Sequence, residues 1–424
     1  MSATLNVWCE GALVGVLAEN QGGIRFQYDK GWLANGFDLA PGSMAFDGVA
    51  NPALRPVFAG LHGPFNDSLP DGWGLLLMDR VLKQNKGLDP RQITPLHRLA
   101  YMGHRGMGIL EYRPELLPAH EEELIDLAMV AEQSEQFLHG DTSDVLEALR
   151  ICGGSPGGAR PKATVAFSED MGTCMSSFGE LPKNYAHWIV KFRNDASNSG
   201  GDPVDMGRLE MAYADMARAA GLCVPQTHLL ELAVSQRKEA YFAVQRFDRV
   251  GSRKLHFLSL AGYAYANHRE PCLDYSTGVL AATRKLTKSD QDVAMAYRLM
   301  LFNVLAHNKD DHAKNFAYLF DPEDKRWRLA PAYDLTFNHG MSNQHTTSIN
   351  GAGNPTFKDL KKVALERNLR QWAEVLDQVR AAISKWPDFA KSYDLSTART
   401  HEVAKALQAI DRACAPTTAS NTGA

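Results

Sequence analysis

At 424 residues, with 45% hydrophobic and 22% charged residues, the chain is too long for one small core and has the composition of a folded protein of two or three domains. A formal net charge of −4 excludes a whole-chain basic field that would drive nucleic-acid binding. Six scattered cysteines without a C-x-x-C pair exclude a zinc ribbon and a disulfide scaffold, and point to free thiols in a reducing compartment.

The N-terminal stretch MSATLNVWCEGALVGVL has no basic residue before its apolar part and carries Glu10 within it, the reverse of a signal peptide. No apolar run approaches the ~18–20 residues that span a bilayer. A cytoplasmic location without a membrane partner is therefore expected. Residues 5–17 predict two short strands around a turn at Glu10-Gly11, and 23–48 is similarly aromatic and glycine-rich. In 66–86, Asp71 is placed to cap a helix with Leu75, Met78 and Leu82 on its apolar face. Residues 96–113 predict a glycine-rich turn and a strand that end this first module.

Residues 114–150 form an acidic connector of helical character, followed by the glycine-dense stretch CGGSPGGARPKATVAF from 152 to 167. A strand is expected at 187–193, HWIVKFR. A helix is expected at 206–220, with Leu209, Ala212, Tyr213, Met216 and Ala220 on one face and Gly221 as its stop. Strands follow near 226–232 and 240–247. Ser289 is placed to cap a helix with Val293, Tyr297, Met300, Leu301, Val304 and Leu305 in one stripe. Two further helices are expected at 358–385 and 397–413, and a disordered tail over 415–424. A β-rich part followed by a helical part is the layout of kinase-like phosphotransferases, but function must be argued from a site.

Phosphoryl transfer requires positioned phosphates, magnesium and charge stabilisation, and four segments supply these parts in order. The glycine loop Gly153-Gly154-Ser155-Pro156-Gly157-Gly158-Ala159-Arg160-Pro161-Lys162 can bring backbone N–H groups and positive charge to phosphates. It is neither a Walker A sequence nor G-x-G-x-x-G, and a flexible connector would look alike. Lys191 sits in an otherwise apolar strand, where burial calls for an anion; an outward-facing lysine is the competing reading. Glu210 on the next helix is a candidate ion-pair partner for it, or simply an exposed glutamate.

The strongest segment is Asp310-Asp311-His312-Ala313-Lys314-Asn315, in which Asn315 follows Asp310 by five residues. That is the spacing of a catalytic aspartate and a magnesium-binding asparagine. A carboxylate steers the attacking hydroxyl and takes up its proton, and an amide oxygen suits hard Mg²⁺. Taken alone, D-x-x-x-x-N also describes a polar surface loop. Asp334, 19 residues after Asn315 in LAPAYDL, is the candidate second magnesium carboxylate, or a turn-capping aspartate. The interval holds a strand, a turn at Asp321-Pro322 and a second strand.

Together these residues resemble the HipA family of toxin serine/threonine kinases. The resemblance runs over roughly residues 5–410, through FNDSLPDGWG and LHRLAYMGHRGMGILEY, SPGGARPKATV, HWIVKF, VQRFDR, NKDDHAKNF and LAPAYDL. It implies an α+β, two-lobed protein-kinase-like fold, with a β-rich N-terminal lobe, an extra N-terminal subdomain and a mostly helical C-terminal lobe. The implied domains are 1–113, an N-terminal subdomain; 114–249, the kinase N-lobe with phosphate-binding loop and hinge; and 250–414, the catalytic C-lobe.

It implies ATP and Mg²⁺ as cofactors, Asp310 as catalytic residue, and Asn315 and Asp334 on the metal. Lys191, Gln245, Phe247, Ser155, Gly157, Gly158, Ala159, Lys162 and Asp334 are the implied ATP-site residues, with Gln245 and Phe247 lining the adenine at the hinge. Ser155 is the implied site of inhibitory autophosphorylation. Gln245 stands where the best-known member has glutamate, and Pro156 adjoins Ser155. The implied partners are a helix-turn-helix antitoxin resembling HipB, a protein substrate such as an aminoacyl-tRNA synthetase, and DNA only through the antitoxin. The competing readings are a catalytically weak, kinase-like corepressor, a small-molecule phosphotransferase, and a metal hydrolase on His307, Asp311 and His312.

Overall fold

The computed structural model describes residues 3–117, 124–139, 149, 157–194 and 204–416. Ser155, the start of the glycine loop, and the expected disordered tail from 417 onward lie outside the described residues. The chain is α+β and divides into two compact units. The first comprises residues 1–208, 225–266 and 317–330, and the second 209–224, 267–316 and 331–424.

In the first unit a five-stranded antiparallel sheet runs in the order Asn51–Pro52, Gly23–Tyr28, Ala12–Asn20, Ala3–Cys9, Leu110–Arg113. Its sequence alternates as a half-buried sheet should: in GIRFQY, Ile24, Phe26 and Tyr28 are buried and Gly23, Arg25 and Gln27 are exposed. The expected Glu10-Gly11 turn is present, with φ of 47° and 82°. Two consecutive left-handed residues match the twist of the flanking strands.

The Gly72–Lys86 helix turns Trp73, Leu77, Met78, Val81 and Leu82 inward, while Leu75 is half-buried. Asp71 occupies the expected cap position, but its carboxylate makes no capping hydrogen bond. It accepts the backbone N–H of Gly158 instead. Such a contact, 87 residues away, is invisible to local sequence rules.

A second antiparallel sheet runs Cys174–Ser176, Lys162–Ser168, Tyr185–Lys191, Arg237–Gln245, Thr227–Val234. One face, with Ala163, Val165, Phe167, Trp188, Val190, Tyr241 and Ala243, packs into a core with Trp73, Leu77, Met78, Leu82, Val130 and Phe137. Period-two alternation therefore directs Lys162, Lys191 and Phe242 to the opposite face. A third sheet, His256–Ser259, Ala317–Asp321, Arg326–Leu329, includes the hairpin foreseen around Asp321-Pro322. Asp67 anchors it, accepting the Ser259 N–H at 2.6 Å and its hydroxyl at 2.7 Å.

The second unit is mainly helical. The Asp290–Leu305 helix is capped as expected by Ser289, whose hydroxyl accepts the Asp292 N–H at 3.1 Å. All six residues of its predicted stripe are buried. The Met206–Ala219 helix buries Leu209, Ala212, Tyr213 and Met216, with Ala220 just beyond it. The Thr397–Ala413 helix matches the expected span. Residues 358–385 do not form one helix: Phe357–Glu366 and Trp372–Ile383 are separated by a break in which Asn368 has φ 56°. Asparagine tolerates that left-handed conformation, which ends a helix without glycine or proline. Among the described residues, no helix is long and apolar enough to cross a membrane, and Cys9, Cys174, Cys223, Cys272 and Cys414 are free thiols.

Candidate active site

In the first unit, Lys191 ends its strand directly opposite Lys162 on one neighbour and Phe242 on the other. Directly opposed residues of antiparallel strands share a face. Lys191 and Lys162 are only 7% and 9% exposed, and the Lys191 ammonium lies 5.4 Å from the Phe242 ring centroid. Two buried like charges side by side are unfavourable unless anionic groups meet them.

The Lys162 ammonium donates to the Gly157 carbonyl, holding the end of the glycine loop. Gly158, at φ 110°, adopts a backbone conformation that residues with a side chain rarely take. Its N–H is donated to Asp71, and its carbonyl accepts from Trp73 N–H at 3.3 Å. Ala159 and Gly157 complete the described part of the loop, and Ser155 lies outside it. Glu210 is 1% exposed, so it is not the exposed glutamate that the sequence allowed as the alternative. It belongs to the second unit, whereas Lys191 belongs to the first.

Gln245 ends the Arg237–Gln245 strand opposite Trp188. Phe247 lies against Phe257, ring centroids 6.2 Å apart. Both flank a buried charge cluster that motif reading missed. The fully buried Asp248 carboxylate accepts from Arg246 Nε at 2.9 Å and Nη2 at 2.7 Å, from Arg249 Nη1 at 2.6 Å, and from the Gly108 N–H at 2.7 Å. The guanidiniums in turn donate to the Gly106 and Gly108 carbonyls at 3.1 and 3.0 Å. Residues 246–249 are thus tied to the Gly106–Gly108 loop of the N-terminal module. Burial alone would raise the Asp248 pKa, but Arg246 and Arg249 hold it well below the usual carboxylate range. Burial and the neighbouring Arg246 charge lower Arg249 to about 10.

In the second unit, the loop after the Asp290–Leu305 helix brings the candidate carboxylates together. Burial raises the Asp310 pKa; His312 opposes the rise, and the charges of Asp334 and Asp311 add to it. Asp310 and Asp334 therefore feel each other electrostatically. Asp334 has φ 56°, an uncommon left-handed backbone for a residue with a side chain. The neighbouring Tyr333 hydroxyl donates to the Lys314 carbonyl. Asn315 donates its side-chain N–H to the Asp310 carbonyl at 2.7 Å, which leaves its amide oxygen as the atom available to a cation.

Asp311 has a different part. Its fully buried carboxylate accepts from Tyr275 Oη at 2.9 Å, His345 Nδ1 at 2.8 Å and the Thr346 N–H at 2.9 Å. With its oxygens filled by donors, it acts as a structural anchor. His307 Nδ1 meets the Asn338 carbonyl at 3.2 Å, and no metal-ligating cluster of His, Cys, Asp and Glu occurs among the described residues. The hydrolase reading on His307, Asp311 and His312 therefore has no geometric support. The anchors Tyr275 and His345 lie 36 and 34 residues from Asp311, and no spacing rule would have found them.

In the first unit the buried lysine pair suits the phosphates of a nucleotide; in the second, two mutually repelling carboxylates and the Asn315 amide oxygen suit a hard divalent cation. Residues 154–386 match the HipA-like C-terminal domain and residues 5–113 the HipA N-terminal domain. The chain belongs to the HipA-like kinase family. Membership implies ATP as the nucleotide.

The HipA-like fold is also that of a solved structure, HipA in the Shewanella oneidensis complex of HipA, HipB and operator DNA. It matches with a TM-score of 0.68 at 17% identity, over 97% of this chain and 96% of that one. The candidate kinase Y4dM of Sinorhizobium fredii is 28% identical over 158 residues, 35% of this chain and 36% of its own length. The match thus spans about a third of that relative. The Helicobacter pylori proinflammatory kinase CtkA aligns at 14% identity over 54% of this chain and 88% of that one, with a TM-score of 0.36.

Proposed function

We propose that this chain transfers the γ-phosphoryl group of ATP to serine or threonine hydroxyls of a protein, as the toxin of a bacterial toxin–antitoxin pair. The observation that carries the reading is the Asp310 carboxyl, raised by burial and by Asp334, on a loop whose Asn315 donates its N–H to the Asp310 carbonyl and has no hydrogen bond to its amide oxygen among the described residues. A raised carboxylate orients a hydroxyl and accepts its proton more readily at neutral pH.

In this reading Lys191 contacts the ATP phosphates, with Gly157, Gly158, Ala159 and Lys162 forming the described part of the phosphate loop. Gln245 and Phe247 line the adenine, and Asn315 and Asp334 hold Mg²⁺. Bound there, the metal would supply neutralisation of the charge on the phosphoryl oxygens. The domains of the reading are 1–113, 114–249 and 250–414. Phosphorylation of Ser155 switches the enzyme off by displacing the phosphate loop.

The partner is a HipB-like helix-turn-helix antitoxin, through which alone the chain meets DNA. The substrate is a translation-related protein such as an aminoacyl-tRNA synthetase. Membership in a family represented by the HipA, HipB and operator complex supports this assignment. Phosphoproteomics after induced expression tests it. Wild type should raise phosphoserine or phosphothreonine at a small set of sites, and Asp310→Ala should not. Identical phosphoproteomes would refute the kinase reading.

A further inference from the structure

Lys309, immediately before Asp310, is 5% exposed. Its ammonium donates to Asn343 O at 2.7 Å, Asn343 Oδ1 at 3.0 Å and Asn354 Oδ1 at 2.8 Å. All three N–H donors are thus directed at neutral oxygens. A buried ammonium is costly, and burial lowers its pKa, with Asp311 opposing. A lysine that served only as filler would be a poor choice at this position.

The backbone of Lys309 engages the same stretch of chain. Its N–H donates to the Asn338 carbonyl at 3.1 Å, and its carbonyl accepts from the Thr346 N–H and Oγ1, each at 3.2 Å. Asp311 continues the lacing through His345, Thr346 and Thr347. Residues 309 and 311, on either side of Asp310, thereby fasten the 338–354 segment, which begins four residues after Asp334.

That segment is strained. Ser342, Asn343 and Asn350 have φ of 54°, 57° and 55°, a backbone region that must be enforced by surrounding contacts. Gly340, at φ 63°, packs so closely on Lys309 that a Cβ would collide with it. The tip is exposed, with the apolar Met341 at 64%. The site thus combines a rigid anchor beside the candidate base with a strained, solvent-facing, partly apolar lip.

We infer that Lys309 is a positioning residue for the phosphoryl acceptor: it locks the 338–354 segment so that the exposed lip around Met341 receives the polypeptide carrying the target hydroxyl. The inference rests on the kinase reading and deepens it by assigning acceptor binding to this segment. Nucleotide binding does not pass through Lys309.

The test uses the full-length protein with Lys309→Met, which keeps length and apolar stem but removes the donors. Asn354→Ala, which removes one acceptor, is the milder second variant. Hydrogen exchange is read first, because it is independent of activity. The 338–354 amides should exchange at least about tenfold faster in Lys309→Met, a population shift that corresponds to about 1.4 kcal/mol. The Asp290–Leu305 helix should stay protected. Phosphoryl transfer from radiolabelled ATP to myelin basic protein is read second. The acceptor KM should rise about tenfold on the same scale while the Kd for a fluorescent ATP analogue stays within twofold.

Unchanged exchange in both variants would overturn the pin. Faster exchange with an unchanged acceptor KM, or with KM and nucleotide Kd worsening together, would overturn the positioning role. Failure of the kinase reading shows differently: wild type itself would transfer no phosphate, whatever the exchange result.

Discussion

Replacing Asp248 by asparagine should unfold the first unit far more easily than its conservative chemistry suggests. The fully buried carboxylate holds Arg246 and Arg249 in place by ion pairs of 2.7 and 2.6 Å. Asparagine keeps the shape but removes the charge and points an NH₂ group at one of the guanidiniums. Two buried cations then lose the carboxylate they are hydrogen-bonded to, and breaking a buried pair from one side costs about 3–5 kcal/mol. At about 2–4 °C per kcal/mol for a domain of 150–250 residues, Tm should fall on the order of 10 °C. The Gly106–Gly108 loop should gain proteolytic sensitivity. The assay is thermal and urea unfolding of wild type and Asp248→Asn at pH 7.

The pH dependence has a definite sign. The folded pKa of Asp248 lies below its ordinary 3.8. Its contribution is therefore complete above that value and is lost as pH falls from 3.8 toward the folded pKa. The asparagine variant should lose this part of the acid dependence. A variant within about 0.5 kcal/mol of wild type, the range of a neutral surface change, would refute the claim that the cluster clamps the N-terminal module.

Acid should weaken the fold well before Asp248 titrates. Burial lowers the pKa of both His62 and His256 to about 4, so each is neutral in the fold while the unfolded chain protonates near 6.5. Stability should fall as pH drops from 6.5 to about 4, by up to about 1.4 kcal/mol per histidine per pH unit. His62→Leu should flatten the curve, and a Tm independent of pH from 7 to 5 would contradict this. Lys191→Met should weaken nucleotide binding at least about tenfold, the loss of a charge-assisted contact of about 1.4 kcal/mol; equal affinities by titration calorimetry would remove Lys191 from the phosphate site. Protein purified after active expression should carry one phosphate that Ser155→Ala lacks, read by intact mass. An unmodified wild type that turns over ATP would remove the self-inhibition.

Local patterns made much of the architecture legible. Ser289 capping, the Thr397–Ala413 helix and the Glu10-Gly11 hairpin follow from residues adjacent in sequence. What stayed hidden depends on distant partners. The His256–Ser259 strand pairs with Ala317–Asp321, a pairing that no window around 256 contains. Asp71 sits where a cap belongs, yet a loop far along the chain takes its carboxylate. At the candidate site, the residue types of the Asp310–Asn315 loop and Asp334 could be read from spacing. Whether a polar residue of NKDDHAKN faces a substrate or an internal donor could not. Asp311 is enclosed by Tyr275, His345 and Thr346, and Lys309 by Asn343 and Asn354, because the 338–354 segment folds back over them.

The central claim, a phosphotransferase built on Asp310, is tested most directly by incubating purified wild type and Asp310→Ala with radiolabelled ATP, Mg²⁺ and an acceptor protein. Wild type should label serine or threonine, and Asp310→Ala should lose at least about a hundredfold in rate, the usual contribution of a positioned acid–base group, while keeping its unfolding curve. Equal labelling by the two proteins, or none by wild type carrying no phosphate at Ser155, would contradict the account.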